Sequence, residues 1–316
     1  MTALPVRRAH ELEAQPEEQR WLIEGLWSAE AVGILGGEPK CCKSFLALDM
    51  AVAVASGAPC LRRFPTVRRG RVLLFAAEDS PSVVRQRLSG IAAAVGMPLD
   101  ALDIHVIVAP VLRLDVELDQ RRLEETVSTL RPMLLVLDPF VRLHRIDENV
   151  SAEVAPLLDF LRGLQRRHHV AIVLVHHARK GASHVRAGQA LRGSSELHAW
   201  GDSNLYVRRG GEEELSLTIE HRAARSADGI GLTLHAEGDT LALRVIDRAA
   251  PEPSPPPMPA VERVERILAE AKSPMAQREI RDLAKIRAST VGDALAALVT
   301  DGRAIRTEGR YQLARR

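Results

Sequence analysis

The stretch GEPKCCKS, Gly37 to Ser44, constrains the fold of this chain more than any other. It follows an apolar run, Ala31–Leu35, that reads as a strand, and it leads into Phe45–Ser56, which reads as a helix. The pattern G-x-x-x-x-G-K-[ST] requires such a strand–loop–helix. Successive backbone N–H groups must turn inward around a phosphate, at the positive end of a helix. Gly37, Glu38, Pro39, Lys40, Cys41 and Cys42 are therefore expected to wrap a nucleotide β-phosphate, with Phe45 just beyond them. Lys43 would reach the β- and γ-phosphates, and the Ser44 hydroxyl would complete a Mg²⁺ shell. One position departs from the pattern. Cys42 stands where glycine is asked for, and a side chain held at positive φ costs about 1–2 kcal/mol. That residue leaves two outcomes open: a working nucleotide site, or one that has lost tight binding or fast hydrolysis.

Short apolar strands alternating with amphipathic helices extend this loop into a larger α/β unit. Strands are predicted at Val32–Leu35, Arg71–Ala76, Ile104–Val108, Met133–Leu137, Ala171–Val175, Asn204–Val207, Leu215–Ile219, Gly231–Ala236 and Leu241–Val245. Helices are predicted at Lys43–Ser56, Pro81–Val95, Gln120–Leu130 and Ala152–His168. Fully apolar strands separated by helices indicate a mostly parallel sheet covered on both faces. The last strands follow one another without helices, which predicts an antiparallel extension at one edge. Residues 1–20 read as a charged arm, 21–248 as the α/β unit, 249–260 as a stiff proline-rich spacer and 261–316 as a small further unit.

Composition excludes several classes. The 316 residues are 46% hydrophobic, enough for two cores, and a net charge of +2 gives no global case for nucleic acid. Three cysteines, Cys41, Cys42 and Cys60, form neither a disulfide framework nor a zinc spacing, which suits a reducing cytoplasm. An aromatic content of 3% disfavours a base-stacking platform for single strands. No apolar stretch is long enough to span a bilayer, and the first twenty residues are too polar for a signal peptide, so no membrane partner is expected.

Three more strand ends carry polar groups. Val72–Phe75 runs into Ala76-Ala77-Glu78-Asp79, and acidic residues at the carboxyl end of a parallel strand face the crevice where ligands bind. Glu78 is the candidate to polarise a water attacking the γ-phosphate, and Asp79 is expected to cap the helix that begins at Pro81. Met133–Leu137 ends in Asp138, the second acidic strand end, whose carboxylate would orient Mg²⁺. Ala171–Val175 leads into His176 and His177, where a histidine can donate to the γ-phosphate. Two adjacent histidines on a strand point to opposite faces, which argues against a shared metal. Arg179, Lys180 and the segment Gly181–Arg192 read as a basic loop.

The order GEPKCCKS, AAED, LLVLD, VHHARK and LRGSSELHAWGDSNLYVRR resembles the RecA-like ATPases, and within them the hexameric RepA-type replication helicases and their relatives of the DnaB kind. The resemblance covers about Trp21 to Asp247 and implies an α/β RecA-like P-loop NTPase core with ATP and Mg²⁺ as cofactors. It implies a homo-oligomeric, hexameric ring acting on DNA, single- or double-stranded. Lys43 and Ser44 would hold phosphate and magnesium, Glu78 would activate water, Asp138 would belong to the metal shell and His177 would sense the γ-phosphate. A neighbour's arginine completes such sites, and Arg222 falls where it is expected, with Arg208 the second choice. Two positions depart from the pattern: Cys42, and Glu220, where helicases of the DnaB kind tend to carry lysine.

Beyond the spacer, Val261–Glu270 is amphipathic, Ser273-Pro274 reads as the start of a second helix reaching Ala284, and Ala288–Val299 reads as a third. Arg303 to Leu313 reads as a hairpin with Gly309 at its tip. Three helices and a two-stranded wing resemble a winged helix-turn-helix domain, whose second paired helix enters the major groove. Ser289 and Thr290 would lie on that helix, with Arg287 before it and Arg303, Arg306 and Arg310 on the wing for phosphate contacts. The reading helix has no Arg, Asn or Gln for base edges, so a protein-interaction role for the same fold stays open.

Overall fold

The computed structural model describes residues 4–12, 16, 19–177, 195–210, 214–237, 240–246, 259–271, 273–284, 286, 288–307 and 309–314. The chain divides into two compact units, Met1–Asp247 and Arg248–Arg316. In the first, a short hairpin of β1 (Trp21–Ile23) and β2 (Trp27–Ser28) precedes β3 (Val32–Gly37), α1 (Lys43–Ser56), β4 (Val72–Ala76) and α2 (Pro81–Ala94). Then come β5 (Ile104–Val106), α3 (Glu117–Leu130), β6 (Leu134–Asp138), α4 (Ser151–His168), β7 (Ala171–His177) and α5 (Ser195–Trp200). The unit closes with β8 (Ser203–Arg209), β9 (Leu215–His221), β10 (Ala227–Glu237) and β11 (Thr240–Ile246).

The described strands form a nine-stranded sheet in the order β11-β10-β9-β8-β3-β7-β6-β4-β5. From β5 to β8 every pairing is parallel, and from β8 to β11 every pairing is antiparallel. The change of sense follows from the connections. Antiparallel strands need only short turns, whereas parallel ones need a crossover, and helices are absent between the described strands after β8. The hairpin Trp21–Ser28 and α5 are elements the sequence reading missed. Both are short, and Trp27 is fully buried, with its Nε1 donating to Ala31 O at 3.3 Å.

Strand side chains alternate between two cores. Leu35, Leu74, Leu134, Val136, Val173 and Val175 pack beneath α1 and α2, while Ile34, Leu73, Leu135, Leu137, Ile172 and Leu174 pack with α3 and α4. Helix α1 is buried continuously from Leu46 to Ala55, and Asp49 is the one polar side chain in that stretch. Gly33 lets β3 pass close to Ser203 and Trp27: a Cβ there would fall on the Ser203 carbonyl and 3.0 Å from the Trp27 ring. No described helix is long and apolar enough to cross a membrane.

The second unit contains α6 (Ala260–Glu270), β12 (Met275–Ala276), α7 (Gln277–Ala284), α8 (Ala288–Thr300), β13 (Ala304–Thr307) and β14 (Arg310–Leu313), with sheet order β12-β14-β13. Its core gathers Val264, Leu268, Ile280, Val291, Leu295 and Leu298. The second helix begins at Gln277, not at Ser273. Met275 and Ala276 are drawn instead into pairing with Tyr311 and Arg310, so the strand ladder overrides the Ser-Pro start signal.

Candidate functional site

Four strand ends and one helix start meet at one edge of the sheet. In the ladders Gly37 lies opposite His177 and Ala76 opposite Asp138, while Leu137 pairs with Leu174, so β3 and β7 run two residues beyond the ends of β4 and β6. Strand parity then selects which side chains face α1. Asp138 continues the series Leu134, Val136, and His177 continues Val173, Val175, so both turn toward the α1 side. His176 turns the other way, 1% exposed, with its ring centroid 5.9 Å from that of Phe140.

These ends enclose a cavity of about 300 Å³ lined by the loop residues 40–45 and by Glu78, Asp79, Arg87, Asp138 and His177. Gly37, Glu38 and Pro39 form the upstream arm of the loop rather than its lining. A Cβ on Gly37 would fall on the Val207 carbonyl and 2.7 Å from Cys41 Sγ, so only glycine passes here. Lys40 and Cys42 both lie in the left-handed region, at φ 63° and 62°. Cys42 therefore carries the strain its pattern position implies, on the order of 1–2 kcal/mol. Its half-buried thiol is pushed up in pKa by burial, against the pull of Arg209, Lys43 and Arg87. Arg209, at the end of β8, donates to Lys40 O at 2.9 Å and ties down the outer turn.

Lys43 is buried, and its ammonium donates to Gly37 O at 3.0 Å and Glu38 O at 2.7 Å, inside the curve of the loop. Cys41 is buried, and burial raises its thiol pKa against the pull of Lys43. Asp138 is 9% exposed, and burial pushes its carboxyl up to about 6. The Ser44 hydroxyl, which donates to it, and Lys43 oppose that rise, whereas Asp79 and Glu78 add to it. A hydroxyl bonded to a buried carboxylate is a pair of hard-oxygen donors. It fits a divalent cation of the Mg²⁺ kind.

Asp79 does not cap α2. Pro81 occupies the first helical position, which makes Ser80 the cap, and Ser80 Oγ accepts from Val83 N at 3.4 Å. Asp79 instead lines the pocket and pairs with Arg87, whose guanidinium lies 5.1 Å from the centre of the Phe45 ring. Asp79 and Arg87 are pocket residues the sequence reading missed. Pro81 was the available signal for the first, since it excludes Asp79 from the cap. Arg87 lies inside a helix and has no motif to mark it. Glu78 sits half-exposed at the rim, and Arg142 Nε donates to its Oε1 at 2.9 Å.

Arg222 is placed away from the pocket of its own chain. It follows β9, lies 3.4 Å from Asp202, and Asp202 N donates to Val32 O at the start of β3, the opposite end of that strand from the loop. Arg208 is half-buried near the end of β8. Glu220 lies 3.7 Å from His198. Arg179, Lys180, Arg287 and the segment 181–192 lie outside the described residues. In the second unit Ser289 is exposed and Thr290 half-buried at the start of α8. Arg303 is engaged through two nitrogens by Glu265, Arg306 lies 5.6 Å over the Tyr311 ring, and Arg310 donates to Pro274 O at 3.1 Å.

The family described as AAA domain (AAA_25) matches residues 2–183, more than half of the chain, and the chain belongs to it. Among solved structures, the RadB recombinase is similar at TM-score 0.51 and 16% identity, over 69% of this chain and 92% of that one. The KaiC-like protein PH0186 from the hyperthermophilic archaeon Pyrococcus horikoshii OT3 is similar at TM-score 0.47 and 14% identity, over 70% and 93%. Family and fold together make the chain an AAA-domain protein with a RecA-like P-loop fold.

Proposed function

We propose that this chain hydrolyses ATP and acts on DNA as a homo-oligomeric ring of the helicase type, using residues 21–248 as motor and 261–316 as a winged helix-turn-helix. One observation carries the hydrolytic reading: Lys43 and Ser44 from α1, Glu78 from the bend after β4, and Asp138 and His177 from the ends of β6 and β7 converge on one cavity of nucleotide-phosphate size. Lys43 and the loop N–H groups hold the β- and γ-phosphates, and Ser44 with Asp138 would hold Mg²⁺. The cation, when bound, neutralises charge developing on the phosphate oxygens. Glu78 accepts a proton from the attacking water. His177 donates toward the γ-phosphate and passes its state to the segment beyond β7, where Arg179 and Lys180 contact DNA. Arg222, or Arg208 in second place, serves the neighbouring subunit's site. Ser289, Thr290, Arg287, Arg303, Arg306 and Arg310 form the DNA face of the winged unit.

Titration with a fluorescent ATP analogue, combined with DNA-stimulated phosphate release, tests this reading. Lys43→Ala abolishes binding and turnover, whereas Glu78→Gln keeps binding and lowers turnover by about 10²–10⁴-fold. Mass photometry with ATP and DNA reads the ring. Cys42 at φ 62° favours a second reading, a DNA-binding adaptor that binds ATP weakly. No turnover in the wild type, with turnover appearing in Cys42→Gly, selects that adaptor.

A further inference from the structure

Glu78 is poorly fixed by its own surroundings. It lies in the bend after β4, its side chain is 44% exposed, and no core packing sets its rotamer. Arg142 is the described residue that holds it, through Nε to Oε1 at 2.9 Å across 64 positions of sequence. Arg142 itself is 61% exposed, but the turn that carries it is anchored in the core. Arg142 ends the 3-10 turn Phe140–Arg142, whose Phe140 is fully buried, and Leu143 just after it is also fully buried. Phe140 is wedged between the rings of His144 and His176, with centroids at 4.3 Å and 5.9 Å. The turn also begins directly after Asp138-Pro139, so the post that carries Arg142 is built on the strand that ends in Asp138.

We propose that Arg142 is the positioning residue for Glu78. Its guanidinium holds Oε1 at the rim and leaves Oε2 to accept the proton of the attacking water, so the carboxylate's place is set from the β6 strand end. This rests on Glu78 being the base of the reaction proposed above. Exposed ion pairs are weak, about 0.2–1 kcal/mol, so the contact adds little to stability and its value lies in geometry.

The test is steady-state ATP hydrolysis by the full-length protein with DNA, together with single-turnover hydrolysis of radiolabelled ATP to read slow variants. Arg142→Ala is expected to lower kcat about tenfold with KM unchanged, as misplacement of a catalytic group does. Arg142→Lys keeps a cation in reach and restores most of the rate, and Arg142→Gln repeats the loss should the alanine variant fold poorly. In a Glu78→Gln background Arg142→Ala costs nothing further, because there is no base left to place. Wild-type kcat in both Arg142→Ala and Arg142→Gln overturns the proposal, as does a raised KM at unchanged kcat, or an equal loss in the Glu78→Gln background. Full turnover in Glu78→Gln itself, or none in the wild type, instead brings down the reading of Glu78, and this proposal with it.

Discussion

At the scale of single residues, Cys42 decides how well the loop is made. Its backbone occupies φ 62°, ψ 25°, a conformation in which glycine has no Cβ penalty and every other residue pays. Replacing it by glycine relieves about 1–2 kcal/mol of strain and loosens the unfolded chain by about 0.5–1 kcal/mol. Cys42→Ala keeps the strain and removes the thiol. Cys42→Gly is therefore expected to be more stable than Cys42→Ala by about 1 kcal/mol in urea unfolding; equal midpoints would mean that the left-handed turn costs no more than glycine's added freedom in the unfolded chain. This strain could be read from the sequence, because the motif fixes which position needs positive φ. The place of Asp79 was half legible: Pro81 at the first helical position excludes it from the cap, but no local pattern assigns it to the pocket, where Arg87 of α2 meets it.

At the scale of elements, α1 links the pocket to a buried ion network at its middle. Asp49 is 3% exposed, accepts from Leu61 N at 2.6 Å, pairs with Arg62, and takes the Cys60 thiol as a donor. Arg62 reaches onward to Leu243 O at 2.5 Å, so one carboxylate ties α1 to the 59–64 segment and to β11. Removing it leaves a partly buried guanidinium without its counter-charge, and Asp49→Ala should cost about 3–5 kcal/mol of stability by chemical denaturation. Burial holds the Asp49 carboxyl above its ordinary value despite Arg62. Between those two pKa values the folded protein keeps a proton that the unfolded chain has shed. This contribution to stability is therefore present at low pH and falls as pH rises from the ordinary carboxylate value through the folded one. The stability of the wild type minus that of Asp49→Asn should decline over that window, and a rise would overturn the assignment. The strands and long helices of this unit were legible because hydrophobic period and length agree in them. This network was not: its five groups come from a helix, a loop and a distant strand, and none carries a local pattern. The start of α7 was misread for a related reason, since Ser273-Pro274 is a sound local signal that long-range pairing with β14 overrides.

At the scale of the whole molecule, the cores of the two units share no residue. One unit has clusters on both sides of its sheet, and the other relies on a handful of side chains such as Val264, Leu268, Val291 and Leu298. A unit of that size buries only about 60% of the surface its unfolded chain exposes, so its stability is the smaller of the two. Separate cores predict separate cooperative transitions, the smaller at lower temperature. Ligand linkage then assigns them. Mg²⁺ and a non-hydrolysable ATP analogue at about 100 times the dissociation constant stabilise whatever contains the loop by about 2.7 kcal/mol. The upper transition should move in calorimetry while the lower stays in place. Leu268→Ala should do the reverse, lowering only the first transition by about 2–5 kcal/mol. A single transition, or an analogue that shifts both, would mean that the folding of the small unit depends on the nucleotide site. The division into two units would then have to be redrawn as one cooperative body.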